Sequence, residues 1–447
     1  MKMGFWKLSR LMIISLVLLF AAVGCTSNQS SGEKDGDDGS AGESSGGEEK
    51  VEITFWHNWE TGPSGESIKE SVAKFNETHP NIEVEAVYVA PDGGDSVSSK
   101  LVTAVAGGNP PDVMLASRYG IAEYKEALEP VGELAERDGI TEDMFYPWAW
   151  GEASYEGELL ALPYDGTARA LFYNKEHFRE AGLDPENPPK TIEELEAAAE
   201  KLTIKEDGKY TRFGFIPWFG EGWLYTWGWS FGGEFVDNNG VVTANDPKIV
   251  EALAWETDFA EKFGIKDVTS FVSSAGTNAT NPFFTGQLSM MVTGNWMLSQ
   301  IEEYAPDLDY GVTYIPTPTG DNFTTFVGGR VLLIPKGVKN LDASWEFVKW
   351  MTASEEGQSI KKITGEFAAM PEVNEKLYAD DPRQNVFLEV LPNGKHRPVV
   401  LAGNMMWDEL AKAPDLVMNK QGTPQEILDG ITEKINKEIE NKKAQLQ

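Results

Sequence analysis

The chain has 447 residues, 41% hydrophobic and 24% charged, with 14 Trp, 13 Tyr and 22 Phe. That length points to roughly two to three domain-sized units with large cores. Lys and Arg number 38 against 71 Asp and Glu, and the resulting formal charge of −33 repels phosphate backbones and argues against nucleic acid as a partner. One cysteine excludes a disulfide framework or a thiolate metal cluster within one chain. Four scattered histidines argue against a His-rich metal site, so no cofactor is expected.

Residues 1–24 read as a lipoprotein signal peptide. Lys2, Lys7 and Arg10 form a basic start, and residues 11–24 are apolar apart from Ser15. That run is short for a hydrocarbon layer of about 30 Å but fits a signal-peptide core. Ala22-Val23-Gly24-Cys25 resembles a bacterial lipobox, with Ala22 where a leucine is usual. The resemblance implies a lipidated Cys25 and an anchor on the extracellular face of a bacterial, Gram-positive cytoplasmic membrane. An ordinary secretory signal with an incidental cysteine is the other reading. Residues 25–50 continue as a Ser/Gly-rich acidic stretch without aromatic or branched aliphatic residues, predicting a disordered, self-repelling tether. With +3 on the signal and −5 on the tether, the body from Val51 onward carries −31.

The body alternates strand and helix patterns. Residues 51–56 read as a buried strand, and Ile68, Val72 and Phe75 recur at helical spacing before Thr78-His79-Pro80. Ile82, Val84, Ala86 and Tyr88 alternate as a second strand. Val97, Leu101, Ala104 and Val105 mark a helix stopped by Gly107-Gly108 and Pro110-Pro111, and residues 113–115 form a third strand. This order predicts a parallel sheet with right-handed crossovers and a ligand beyond the carboxyl ends of the strands. Residues 57–60 and 117–119 therefore fall beside the predicted site. Further on, Tyr155-Glu156-Gly157-Glu158 predicts a hairpin turn. Thr191 with Glu194 predicts a capping box on a helix carrying Leu195, Ala198 and Leu202.

An ordered set of short motifs runs through the body: Phe75-Asn76-Glu77, Pro80-Asn81-Ile82-Glu83-Val84, Gly107-Gly108, Pro110-Pro111-Asp112-Val113, Leu162-Pro163-Tyr164-Asp165, and Leu171-Phe172-Tyr173-Asn174-Lys175. Phe284-Thr285-Gly286-Gln287, Gly294-Asn295-Trp296, Tyr310-Gly311-Val312, Gly328-Gly329 and an amphipathic segment at 343–351 complete it. Together they resemble the ABC-transporter extracellular solute-binding proteins of family 1, the carbohydrate-binding, maltodextrin-binding-protein-like group. The resemblance implies an α/β, two-lobed periplasmic-binding-protein-like fold, each lobe a mostly parallel sheet flanked by helices, with three chain crossings at the hinge. The crossings fall near Gly166-Thr167, residues 327–331 and residues 378–382. Lobe 1 then takes residues 51–166 and 331–378, and lobe 2 takes residues 167–330 and 379–447.

The same resemblance implies capture of a mono- or oligosaccharide by hinge closure and delivery to ABC permease subunits, by a monomer attached to the membrane through its lipid alone. A sugar offers apolar C–H faces and a rim of hydroxyls, which flat aromatics and polar side chains match. Ten aromatics crowd residues 213–235, among them Trp218, Trp223 and Trp227. Asn295 and Trp296 match a family cleft motif, and Met406-Trp407 falls where the family supplies a second aromatic. Asn58, Trp59 and Glu60 follow the first strand. Arg118 matches a family arginine beside the ligand, although Ser117 stands where maltodextrin binders carry aspartate. Asp165, Thr167 and Arg169 lie at the first crossing, the last two on one strand face by alternation, and Arg330 at the second. Each arginine is equally readable as a structural ion-pair partner, and two facing inward would admit an anionic solute such as a glycerophosphodiester.

Two enzyme readings compete. Gly228-Trp229-Ser230-Phe231-Gly232 matches the nucleophile-elbow spacing, with His396 downstream, but an aromatic helical run precedes the serine where an elbow needs a strand. A secreted glycoside hydrolase shares the aromatics and carboxylates, and would hydrolyse its ligand rather than return it intact.

Overall fold

The computed structural model describes residues 50–91 and 98–446. The signal peptide, Cys25, the tether up to residue 49 and Val97 lie outside the described residues.

Strand β1 (Val51–His57) buries every second side chain from Ile53 to His57. Helix Gly62–Thr78 follows with Pro63 in its first turn, where a missing N–H leaves no bond unmade, and it buries Ile68 and Phe75. Strand β2 (Ile82–Tyr88) returns parallel to β1, Val51 opposite Ile82 and His57 opposite Tyr88. After helix Ser98–Ala106, strand β3 (Val113–Ser117) adds to the other side of β1, again parallel. Helix Leu341–Ala353, around the amphipathic segment seen in the sequence, covers one face, its Phe347 ring meeting Phe55 and Phe75 edge-on at 5.2 and 5.0 Å.

Two further short strands complete this sheet from distant parts of the chain. Leu162–Pro163 (β4) and Arg330–Leu333 (β8) give the order β2-β1-β3-β8-β4. Both ladders made by β8 are antiparallel, Arg330 opposite Ser117 and Val331 opposite Pro163. The second sheet consists of β5 (Arg169–Asn174) between β6 (Met290–Gly294) and β7 (Tyr310–Thr313), both pairs antiparallel. The expectation of a mostly parallel sheet in each lobe is thus corrected: the first sheet is mixed and the second antiparallel. Sequence could not give the direction, because all six residues of β5 are buried and a strand covered on both faces shows no alternation.

The two sheets are stitched together where β4 leads into β5. Strand Asp165–Gly166 pairs with Phe367–Ala368, and the next residue, Thr167, forms an antiparallel bridge with Gly328. Thr167 donates its N–H to Gly328 at 2.9 Å, and Gly328 donates back at 3.3 Å. These are the chain segments expected at the first two crossings.

The local devices read from the sequence are present. Glu156 and Gly157 both take positive φ (51° and 83°) in the hairpin between Ser154–Tyr155 and Glu158–Leu159. Thr191 accepts from the Glu194 N–H at 3.0 Å, and the Glu194 carboxylate accepts from the Thr191 N–H at 3.1 Å. Most of the aromatic run at 213–235 is core. Helix Leu224–Ser230 is buried at every residue, and Trp227 lies 4.7 Å from Trp255 and edge-on to Phe215. Helices Gly403–Met418 and Pro424–Leu446 close the body against helix Pro247–Phe263.

Candidate functional site

A cavity of about 570 Å³ opens over the crossing segments, within the roughly 300–1,000 Å³ of small-molecule sites. Its floor is the Thr167–Gly328 bridge with Gly329 and Arg330, and its rim takes Pro63, Ser64 and Ser117 from the first sheet's side. The opposite wall holds Arg169, Glu221, Trp223, Trp296, Phe326, Arg397 and Trp407. Helix Met297–Tyr304, the segment carrying Thr364 and Glu366, and Asn278 supply the remaining polar groups.

The arginine at the start of β5 is held on every side. Arg169 donates from Nε and Nη2 to Glu221 Oε2 at 3.2 and 3.0 Å, and from Nη1 to the Thr167 hydroxyl at 2.9 Å. Its guanidinium covers the Phe326 ring at 4.3 Å and reaches Trp296 at 5.1 Å. Glu221 also accepts from Trp223 Nε1 at 3.3 Å, so one carboxylate positions both a cation and an indole. Trp223 meets Trp407 at 4.9 Å, and Arg397 lies over Trp407 at the same distance. The wall is therefore a chain of flat faces alternating with charges.

The Gly294-Asn295-Trp296 motif has a mechanical reading. A Cβ on Gly294 would sit 2.1 Å from a ring carbon of Trp296, so only glycine lets the indole fold back across the end of β6. Asn295 is fully buried and does not face the cavity. Its side-chain oxygen accepts from the Ala168 N–H at 3.1 Å, and its amide donates to the Gly365 carbonyl at 2.6 Å. The asparagine ties the first crossing to the 364–366 segment, and the next residue carries the aromatic.

Arg330 projects from the end of β8 toward the opposite side of the floor. Its backbone N–H donates to Asp165 Oδ1 at 2.7 Å, and its guanidinium stands 3.8 Å from Asp165 and 3.9 Å from Glu366. Trp59 lies 4.3 Å beneath it. Burial, with Asp165 beside it, pushes the Glu366 carboxyl up to about 7, while burial pushes the Lys361 ammonium down.

Of the residues singled out in the sequence, Thr167, Arg169, Trp223, Trp296, Arg330 and Trp407 line the cavity. The others stand elsewhere in this geometry. Arg118 is fully buried, its Nε 3.0 Å from Glu152 and its guanidinium 4.8 Å above Trp148, which corrects the reading of a ligand group. Burial lowers its pKa against the pull of Glu152. Trp227 donates Nε1 to the Pro217 carbonyl inside the core, Trp218 packs against that core, and Met406 is buried. Asp165 and Trp59 support Arg330 from behind, while Asn58 and the exposed Glu60 are outside the lining. Ser230 of the G-x-S-x-G match lies within a helix and donates to the Pro316 carbonyl, so the match builds no elbow.

Glu221, Phe326, Glu366 and Arg397 were missed. Glu221 had a signal, since it sits between Gly220 and Gly222 in the aromatic run. The other three reach the site only through topology. Among the described residues, no group of three His, Cys, Asp or Glu side chains is arranged to hold a metal ion.

A two-lobed α/β body whose crossing segments floor an aromatic-walled polar cavity has the build of a binding protein that closes on a solute. Residues 58–358 match the family of bacterial extracellular solute-binding proteins, and the chain belongs to that family. It is 26% identical over 428 residues to the sn-glycerol-3-phosphate-binding periplasmic protein of Pectobacterium atrosepticum, covering 88% of this chain and 92% of that one. Over 344 residues it is 26% identical to the maltotriose-binding protein of Pyrococcus abyssi, covering 74% and 68%. A solved structure described as "CpMnBP1 with Mannotriose Bound" superposes with a TM-score of 0.76 at 28% identity, over 86% of this chain and 100% of the other. The chain is accordingly an extracellular or periplasmic solute-binding component of an ABC importer, with permease subunits as partners, and not an enzyme.

Proposed function

We propose that the protein captures a neutral carbohydrate of more than one ring in the cavity over the crossing segments and hands it intact to its permease. The observation that carries this reading is the wall of Trp223, Trp296 and Trp407 around a floor of hydrogen-bonding groups. Indole faces cover the C–H faces of sugar rings, while Thr167, Arg169, Glu221 and Arg330 meet hydroxyls. The solved relative whose description names mannotriose, and the maltotriose-binding relative, support this class of solute.

Closure follows from differential contact: a solute touching both sides of the crossing favours the closed state by its additional contacts there. In this reading lobe 1 comprises residues 51–166 and 331–378 and lobe 2 residues 167–330 and 379–447, with the third crossing at 378–382. Lipidated Cys25 anchors a monomeric body to the outer face of the cytoplasmic membrane, and the acidic tether lets it reach the permease.

The second reading is a phosphate-bearing solute such as sn-glycerol 3-phosphate, favoured by Arg169, Arg330 and Arg397 in one cavity and by the Pectobacterium relative. Against it, Glu221 and Glu303 line the same cavity, and a body of −31 repels anions. Thermal unfolding across a panel of mono- and oligosaccharides and sn-glycerol 3-phosphate separates the two. A solute at one hundred times its Kd stabilises the native state by about 2.7 kcal/mol. A shift with neutral oligosaccharides and recovery of intact sugar is the expected result; a shift confined to the phosphate ester refutes the carbohydrate reading.

A further inference from the structure

We propose that Glu366 is a specificity-determining residue that meets the solute as a neutral carboxylic acid, donating a hydrogen bond, so that capture takes up a proton. The inference rests on the carbohydrate reading of the cavity.

The floor of the cavity carries two carboxylates around one cation. Asp165 and Glu366 both approach one guanidinium nitrogen, Arg330 Nη1, at 3.8 and 3.9 Å. They do not share it equally, because Asp165 also accepts the Arg330 N–H at 2.7 Å. Glu366 lines the cavity at 8% exposure, and its Oε2 has no hydrogen-bond partner. Two carboxylates competing for one cation cannot both ionise without cost, and the less well-bonded of the two takes the proton. Glu366, with its unbonded Oε2, is therefore the acid.

The groups around it do not reverse this. Lys361, from the turn Ile360–Ile363, is 1% exposed, makes no hydrogen bond through Nζ and lies 3.0 Å over the Tyr164 ring. Its burial favours the neutral amine, so it compensates Glu366 poorly. Tyr378, from helix Pro371–Tyr378, donates to the Glu366 backbone carbonyl and not to its carboxyl. Thr364 lies beside the carboxyl, and the Arg118–Glu152 pair lies beyond Asp165. Burial and Asp165 raise Glu366 while Arg330, Lys361 and a hydrogen bond from the Thr364 side chain lower it, with a net rise.

A sugar covering this floor removes the remaining water and raises Glu366 further, so the bound form holds more of the proton. Affinity is then greatest below neutrality and falls as pH rises, by about tenfold for each unit that the solute adds to the pKa.

The test is calorimetric titration of the full chain with mannotriose and with maltotriose at ~pH 6 and ~pH 8.5, in two buffers of different ionisation enthalpy. The expected result is an affinity about tenfold lower at the higher pH, with buffer-dependent heats that report proton uptake. Glu366→Gln should bind equally at both pH values, and Lys361→Met should move the fall to higher pH. Equal wild-type affinity at both pH values, or a Glu366→Gln variant that keeps the wild-type dependence, overturns the proposal. If neither trisaccharide binds, the carbohydrate reading fails by itself. Carboxyl ¹³C resonances of the free wild type, assigned against Glu366→Gln, then decide: titration near neutrality supports the proposal, and titration below ~pH 5 overturns it.

Discussion

Replacing Arg118 by methionine separates a structural arginine from a ligand-binding one. Arg118 and Glu152 have side-chain exposures of 0% and 1% and meet at 3.0 Å, with the guanidinium over Trp148 at 4.8 Å. The substitution keeps most of the apolar volume and leaves Glu152 buried without its cation. Removing one partner of such a pair costs about 3–5 kcal/mol, because the remaining charge loses its compensation while staying desolvated. Against a total of roughly 5–15 kcal/mol that is a large fraction of stability. Urea unfolding followed by tryptophan fluorescence should show a lower midpoint with an unchanged slope. The double variant Arg118→Met/Glu152→Leu should recover most of the loss, since a buried pair replaced by apolar residues is often neutral or better. Solute affinity of the folded fraction should stay within about twofold of wild type. A loss under about 1 kcal/mol, accompanied by weakened solute binding, would refute the reasoning and return Arg118 to the ligand.

Three other substitutions test neighbouring parts of the account. A Cβ on Gly329 would lie 1.9 Å from Arg118 Nη2 and 2.4 Å from the Asp165 carbonyl, so Gly329→Ala should lower stability by about 1–3 kcal/mol in chemical denaturation. Glu256 is fully buried on helix Pro247–Phe263, and burial holds its carboxyl well above the ordinary 4.5. A raised folded-state pKa contributes fully below the unfolded value and is lost as pH rises, so the stability gain of Glu256→Met over wild type should widen from pH 4.5 upward in pH-dependent unfolding. Thr191→Ala removes one half of the capping box and should cost about 1 kcal/mol in the same assay.

What the sequence revealed follows the range of its interactions. The first β-α-β unit, the capping box and the Glu156-Gly157 turn were readable because neighbouring residues decide them. The Gly-Asn-Trp motif pointed to Trp296 but not to the division of labour within it, since the partners of Asn295 lie at Ala168 and Gly365. Arg118 and Arg169 look alike in the chain, yet one is walled in beside Glu152 and the other lines the cavity beside Glu221. Glu366 and Arg397 carried no local signal, because only the third dimension brings them to the floor and wall. The direction of β6 against β5 was equally hidden, both strands being buried throughout.

The most direct test of the central claim is equilibrium titration, by intrinsic tryptophan fluorescence, of wild type, Trp296→Ala and Trp407→Ala with mannotriose, maltotriose and sn-glycerol 3-phosphate. The account predicts saturable binding of a trisaccharide that is recovered intact, weakened about tenfold, or roughly 1.4 kcal/mol, by either substitution. Absence of binding by either trisaccharide, or binding indifferent to both substitutions, would contradict it.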